Sequence, residues 1–148
     1  MPDDSFKFIN VPVGFMKTIK DFTVVAVDSV CKDCVELKLK ANPGDTIPEV
    51  CPGQFVNILV PDNSVLLRRP ISVHDFCSEN CTLHLLVQKA GPGTESLAKV
   101  LPGDKLNVVL PLGNTFPLEE INRKKVLLVG GGVGVAPLYY YGKYLKQR

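Results

Sequence analysis

Val35, Leu37 and Leu39 alternate with Glu36, Lys38 and Lys40, the period of a strand with one face buried and one face wet. Similar segments recur on both sides. Thr23–Val30 is rich in β-branched residues. Gln54–Val60 follows the turn Pro52-Gly53, and Leu66–His74 follows Pro61-Asp62-Asn63. Thr82–Lys89 places Leu83, Leu85, Leu86 and Val87 between two breaks, and Lys105–Leu110 runs into Pro111-Leu112-Gly113-Asn114. Between the last two strands Leu97, Ala98 and Leu101 have helical spacing, which predicts a short helix over Glu95–Leu101 with Thr94 as its N-cap. Six strands, short turns and one small helix predict a mainly β protein built on a closed antiparallel barrel, which leaves no exposed sheet edges.

The pattern changes after Phe116. A charged connector leads to the continuous apolar run Val126–Val129, the signature of a strand buried on both faces. Gly130-Gly131-Gly132-Val133-Gly134-Val135-Ala136-Pro137 follows, and Leu138–Gln147 reads as a helix. Strand, glycine loop and helix open a nucleotide-binding α/β unit, whose second strand would lie past Arg148. The alternative is a tight turn with no ligand. The expected organisation is an arm at 1–17, a barrel at 18–117, and the start of an incomplete Rossmann-like domain at 118–148.

Composition narrows the function classes. With 45% hydrophobic and 22% charged residues, the 148-residue chain has the balance of a folded soluble domain. A net charge of +2, with basic residues scattered, argues against a nucleic-acid surface. No apolar run approaches bilayer length, and MPDDSFKFIN lacks a signal layout, so a cytoplasmic location is expected. Five cysteines, an odd count, argue against a disulfide framework. Cys31-x-x-Cys34 and Cys77-x-x-x-Cys81 have the spacing of zinc or iron–sulfur half-sites. The preferred reading is turn cysteines in a reducing compartment, because no histidine shares the spacing. No metal site is expected.

The chemistry concentrates in Leu66–Val73, LLRRPISV. An arginine in an apolar strand needs a partner, and a phosphate matches the planar guanidinium fork. The alternative is a barrel strand whose arginines face water. Arg68, one residue out of register with Arg69, falls on the opposite strand face and reads as structural or partner-facing. Gly93-Thr94 at a helix start is a second anion signal, because N-terminal helix N–H groups are unpaired. His74 and His84 are acid–base candidates only in principle, and Tyr139, Tyr140, Tyr141 and Tyr144 read as packing or interface residues.

The motifs PGQF at 52–55, RRPISV at 68–73, GPGT at 91–94, LPGD at 101–104, PLGNTF at 111–116 and VGGGVGVAPL at 129–138 resemble the ferredoxin reductase superfamily, in which a Greek-key flavin-binding barrel precedes a nicotinamide-nucleotide domain. Within it, the RRPIS form most resembles the electron-transfer subunits of NAD-dependent (B-type) dihydroorotate dehydrogenases. The resemblance implies a flavin-dependent oxidoreductase subunit binding FAD. Arg69 would hold the phosphates, Pro70 and Ile71 would line the flavin, and Ser72 would be the catalytic hydroxyl near flavin N5. Ile71 stands where the superfamily usually has tyrosine, so stacking from that position is not implied. Leu86, Val87 and Gln88 would flank the adenylate or ribityl part, and Gly93 and Thr94 the pyrophosphate. Gly130, Gly131, Gly132 and Gly134 would face NAD.

By the same resemblance, electrons would pass from dihydroorotate through a catalytic FMN-containing partner subunit, in a heterotetramer, and a two-iron, two-sulfur cluster to FAD and NAD, a route serving pyrimidine biosynthesis. Cys31, Cys34, Cys51, Cys77 and Cys81 lie in the wrong region to bind that cluster, and a complete nucleotide domain would need roughly a hundred further residues. The chain is therefore expected to be a truncated form that holds FAD but, on its own, is inactive with NAD. Two alternatives stand beside this reading: a reductase subunit of another such complex, in hydrogenase or sulfur metabolism, and a non-enzymatic barrel that docks on a partner.

Overall fold

A computed structural model of the chain describes residues 16–63, 65–118 and 125–147. Most of the expected arm at 1–17 and most of the connector lie outside the described residues. Six strands form the body: β1 (Thr18–Cys31), β2 (Cys34–Ala41), β3 (Phe55–Ile58), β4 (Arg69–Cys77), β5 (Thr82–Gln88) and β6 (Lys105–Leu112). They close into an antiparallel barrel in the order β1-β2-β5-β4-β3-β6, a Greek key. The alternation seen in β2 is realised in three dimensions. Val35, Leu37 and Leu39 are buried and point into the barrel, where they meet Phe22, Val73, Leu83, Leu85, Val87, Leu106 and Val108.

Some expected boundaries move. β1 starts five residues earlier than the β-branched run, because Thr18–Thr23 pairs with β6. β4 begins only at Arg69, and Leu66 and Leu67 lie outside it, 91% and 69% exposed. The small helix, α1, spans Pro92–Leu97 rather than Glu95–Leu101. Thr94 is not its N-cap but its third residue. Its Oγ accepts from the N–H groups of Ala90 and Gly91 and donates to the Gly91 carbonyl. Pro92 explains the shift, since a first-turn position suits a residue without an N–H.

Two glycine motifs lock together below β4. Gly53 (φ +97°) lies so close to Phe116 that a Cβ there would sit 2.6 Å from the Phe116 nitrogen, and the Phe116 N–H donates to Pro52 O at 2.8 Å. Gly113 (φ +78°) accommodates the Phe55 ring in the same way. Between them Gln54 is buried. Its side-chain carbonyl accepts from Cys51 N–H, and its backbone carbonyl accepts from Val73 N–H.

The expected strand at Val126–Val129 is not formed. The run carries no ladder, and Val126, Leu127 and Val129 are 42%, 86% and 80% exposed. A strand buried on both faces requires strands beside it and layers above and below, and no described element occupies those places. The segment after it is ordered on the barrel: a 3₁₀ turn at Gly132–Val135 touches β5, and helix α2 (Ala136–Lys146) packs on β4. His74 Nδ1 donates to Ala136 O at 2.8 Å and its ring stacks on Tyr139, with centroids 4.7 Å apart. Lys143 Nζ reaches both oxygens of the buried Asp75 at 2.9 and 2.7 Å. Tyr140 and Tyr141 donate to the carbonyls of Val50 and Pro117. Tyr140 and Tyr141 are packing residues, whereas Tyr139 is 54% exposed.

Candidate functional site

The barrel has a seam. β4 and β5 pair from Val73↔Leu85 to Cys77↔Thr82, with a register shift between Val73 and Asp75. Above that point they part. Arg69–Ser72 pairs only with β3, from Ile58↔Arg69 to Phe55↔Ser72, and Leu86–Gln88 pairs only with β2, from Glu36↔Leu86 to Cys34↔Gln88. Two facing strand edges therefore lie open, each with backbone donors and acceptors that a ladder would otherwise use. Arg69–Ser72 and Leu86–Gln88, singled out from the sequence, form these edges.

Strand alternation sorts their side chains. Ile71 and Val87 point into the core, at 8% and 0% exposure, so they offer the seam backbone only. Pro70, Ser72 and Gln88 are exposed and Leu86 is half-buried, all on the outer face. Arg69 shares parity with Ile71 but starts the strand. Its guanidinium leaves the barrel mouth and lies against Gly93. A Cβ on Gly93 would collide with Nε and stand 2.9 and 3.0 Å from Cζ and Nη2. Thus the two anion signals, 24 positions apart in sequence, touch in space. The Arg69 guanidinium is steadied by the Leu67 carbonyl at 2.9 Å, and among the described residues no carboxylate pairs with it. The Thr94 hydroxyl is already engaged, since its proton and lone pairs serve the Ala90-Gly91 turn.

Arg68 turns the other way. It binds the Asn107 side chain and the carbonyls of Asn57 and Asn107, and Asn107 in turn donates to Asp21. It ties β3 to β6 and is structural.

The glycine loop reaches the closed end of the same seam. The Gly132–Val135 turn lies on β5, and His74, two residues beyond Ser72, holds the first turn of α2. Its glycines divide by role. Gly130 is needed for packing, because a Cβ would meet Leu138 and Val135 within 3 Å, and Gly132 has φ +55°. Gly131 and Gly134 face open space. Among the described residues no group of three or more His, Cys, Asp or Glu gathers to hold a metal. His84 pairs with Glu36 at 2.7 Å on the outer face of β5 and β2. Sequence reading missed that pair and the Asp75–Lys143 pair, because both require the tertiary register. A depression of about 500 Å³ lined by Lys40, Asn42, Asp45 and Asn80 lies at the opposite end of the barrel from Arg69.

The closed Greek-key barrel, split at one seam and followed by a glycine loop, is the fold of ferredoxin reductase-like domains. A solved NADH-dependent reduced ferredoxin-NADP oxidoreductase superposes with TM-score 0.74 at 34% identity, over 85% of this chain and 44% of that one. The chain is a relative of the electron transfer subunits of dihydroorotate dehydrogenase B (NAD(+)). The Shouchella clausii subunit is 41% identical over 128 residues, 84% of this chain and 48% of its own length, and a Streptococcus pneumoniae subunit is 37% identical over 134 residues, 90% and 51%. The chain thus spans about half the length of these relatives. No family model matches it.

Proposed function

We propose that the seam between β4 and β5 binds FAD and that the chain is the flavin-holding part of an electron-transfer subunit. The observation that carries this reading is the convergence of Arg69 and Gly93 at the open mouth of the seam and of Ser72 and the glycine loop at its closed end. Three features suit a flavin dinucleotide. Arg69, which pairs with no carboxylate among the described residues, sits against Gly93, which has no side chain of its own in the way. The lips supply backbone donors and acceptors for a polar ring edge. Ser72 adds an exposed hydroxyl. FAD, when bound, supplies the hydride and single-electron chemistry. Arg69 offsets phosphate charge, Gly93 lets the backbone approach the pyrophosphate, and Ser72 hydrogen-bonds at the reactive edge. Leu86 and Gln88 flank the ligand by side chain, and Ile71 and Val87 by main chain. Gly131 and Gly134 are the open positions for nicotinamide-nucleotide phosphates.

The relatives' names support the finer reading that electrons pass between a dihydroorotate-oxidising partner subunit and NAD; an FMN in that partner, a cytoplasmic location and a place in pyrimidine biosynthesis are what the sequence resemblance adds to the proposal. On this reading 18–117 is the flavin unit, and 118–148 opens the NAD unit. The five cysteines, all free thiols, gather no set that could hold an iron–sulfur cluster among the described residues, so this reading assigns them no role in one. The purified chain, incubated with FAD and desalted, should retain flavin absorbance in a one-to-one ratio. A colourless protein with no flavin binding would overturn the proposal in favour of a barrel that only docks on a partner.

A further inference from the structure

Cys31 and Cys34 close the β1–β2 hairpin around the two-residue turn Lys32-Asp33, and they are direct cross-strand partners. Opposed residues in an antiparallel ladder have Cα atoms about 4.5–5.5 Å apart, inside the span a disulfide bridges. Cys31 is exposed and Cys34 half-buried, and both are free thiols. Burial, and next the neighbouring Cys31 thiol, push the Cys34 thiol above its ordinary value, so the two side chains sense each other. The hairpin is also wired to the seam. Asp33 O accepts from Lys89 N–H at 2.8 Å and Lys32 O from Lys89 Nζ at 2.7 Å. Lys89 directly follows β5 and precedes the Ala90–Thr94 turn that carries Gly93.

We infer that Cys31 and Cys34 form a reversible thiol–disulfide site at the tip of the β1–β2 hairpin, with small disulfides of the oxidised-glutathione class as its co-substrate. The exposed Cys31 thiolate attacks one sulfur of the small disulfide and releases one glutathione thiolate, which takes up a proton. Cys34 loses its proton to solvent and attacks Cys31 Sγ, releasing the second glutathione. Two protein thiols are oxidised, and one small disulfide is reduced to two thiols. This site is independent of flavin binding. Its effect on the seam would pass through Lys89, because bridging the sulfurs redraws the turn whose two carbonyls hold that residue.

The test uses the 148-residue chain, reduced, freed of reductant and titrated with defined ratios of oxidised to reduced glutathione. Intact mass should show loss of two hydrogens, and peptide mapping should join Cys31 to Cys34. Cys34→Ser should stop at a glutathione adduct on Cys31, and Cys31→Ser should form no internal disulfide and add glutathione at Cys34 more slowly than Cys34→Ser adds it at Cys31. As a readout that needs no variant, phenylarsine oxide should bind the folded wild-type chain and block disulfide formation. The disulfide should be at least about tenfold harder to reduce in the folded chain than in urea, since the ladder holds the partners together. A link mapping elsewhere, thiols that persist in oxidised glutathione, or equal stability in urea would each overturn the inference.

Discussion

Gly93→Ala separates the geometry of the seam from the stability of the fold. The new methyl would fall on the Arg69 guanidinium, which touches three of its heavy atoms. Those atoms end a flexible side chain, so the barrel need not distort and Arg69 swings away. Gly93 lies inside α1, with no left-handed φ to preserve. Alanine there reduces unfolded-state freedom, and the melting temperature should hold or rise, by about 0.5–1 kcal/mol of stability. Flavin affinity should move oppositely. A hydrogen bond to a charged group contributes ~1.5–3 kcal/mol. At about 1.4 kcal/mol per decade, losing one phosphate contact weakens FAD binding by roughly 10- to 100-fold. The assay is quenching of flavin fluorescence at fixed ionic strength, with thermal unfolding of the same samples. Arg69→Ala should weaken binding to a similar extent. In the double variant the second substitution should add little, because one interaction cannot be lost twice. Tight FAD binding by Gly93→Ala beside weak binding by Arg69→Ala would refute the steric link. Unchanged affinity in both would remove Arg69 from the site.

Three further outcomes are expected. Ser72→Ala, at an exposed outer-face position, should leave the unfolding midpoint unchanged and slow reduction of bound flavin by roughly tenfold, the scale of one hydrogen bond. Leu85→Ala, at 0% exposure in the barrel core, should cost about 2–5 kcal/mol in denaturant titration. The docking of α2 should be alkali-sensitive: the hydrogen bond to Asp75 holds Lys143 above the usual lysine value, and burial raises Tyr140 and Tyr141. Groups with folded pKa values above their unfolded ones contribute fully below the unfolded pKa and lose that contribution as pH rises through the folded one. Stability should therefore hold through neutral pH and decline above about pH 10, less steeply in Tyr140→Phe; an equal decline in that variant would exclude Tyr140 as a source.

Much of the barrel was legible because strand alternation is local. The period of two in Cys34–Lys40 fixes which side chains face inward whatever the strand pairs with, and turn glycines and prolines mark where each strand stops. The same local rules correctly separated Arg68 from Arg69 by face. They failed at α1, where Pro92 moved the start and left Thr94 in the interior of the turn, and at Val126–Val129, where apolar content alone cannot supply neighbouring strands.

The chain's sequence by itself determined the strand order of residues, the inward faces, the glycine turns and the presence of an arginine in want of an anion. Only the tertiary structure decided that β4 and β5 part above Val73, that Arg69 crosses the gap to Gly93, and that His74 and Asp75 pin α2 against β4. The reason is physical. Periodicity is set by the backbone within a few residues, whereas a seam exists only where two strands distant in sequence find other partners and leave their facing edges open.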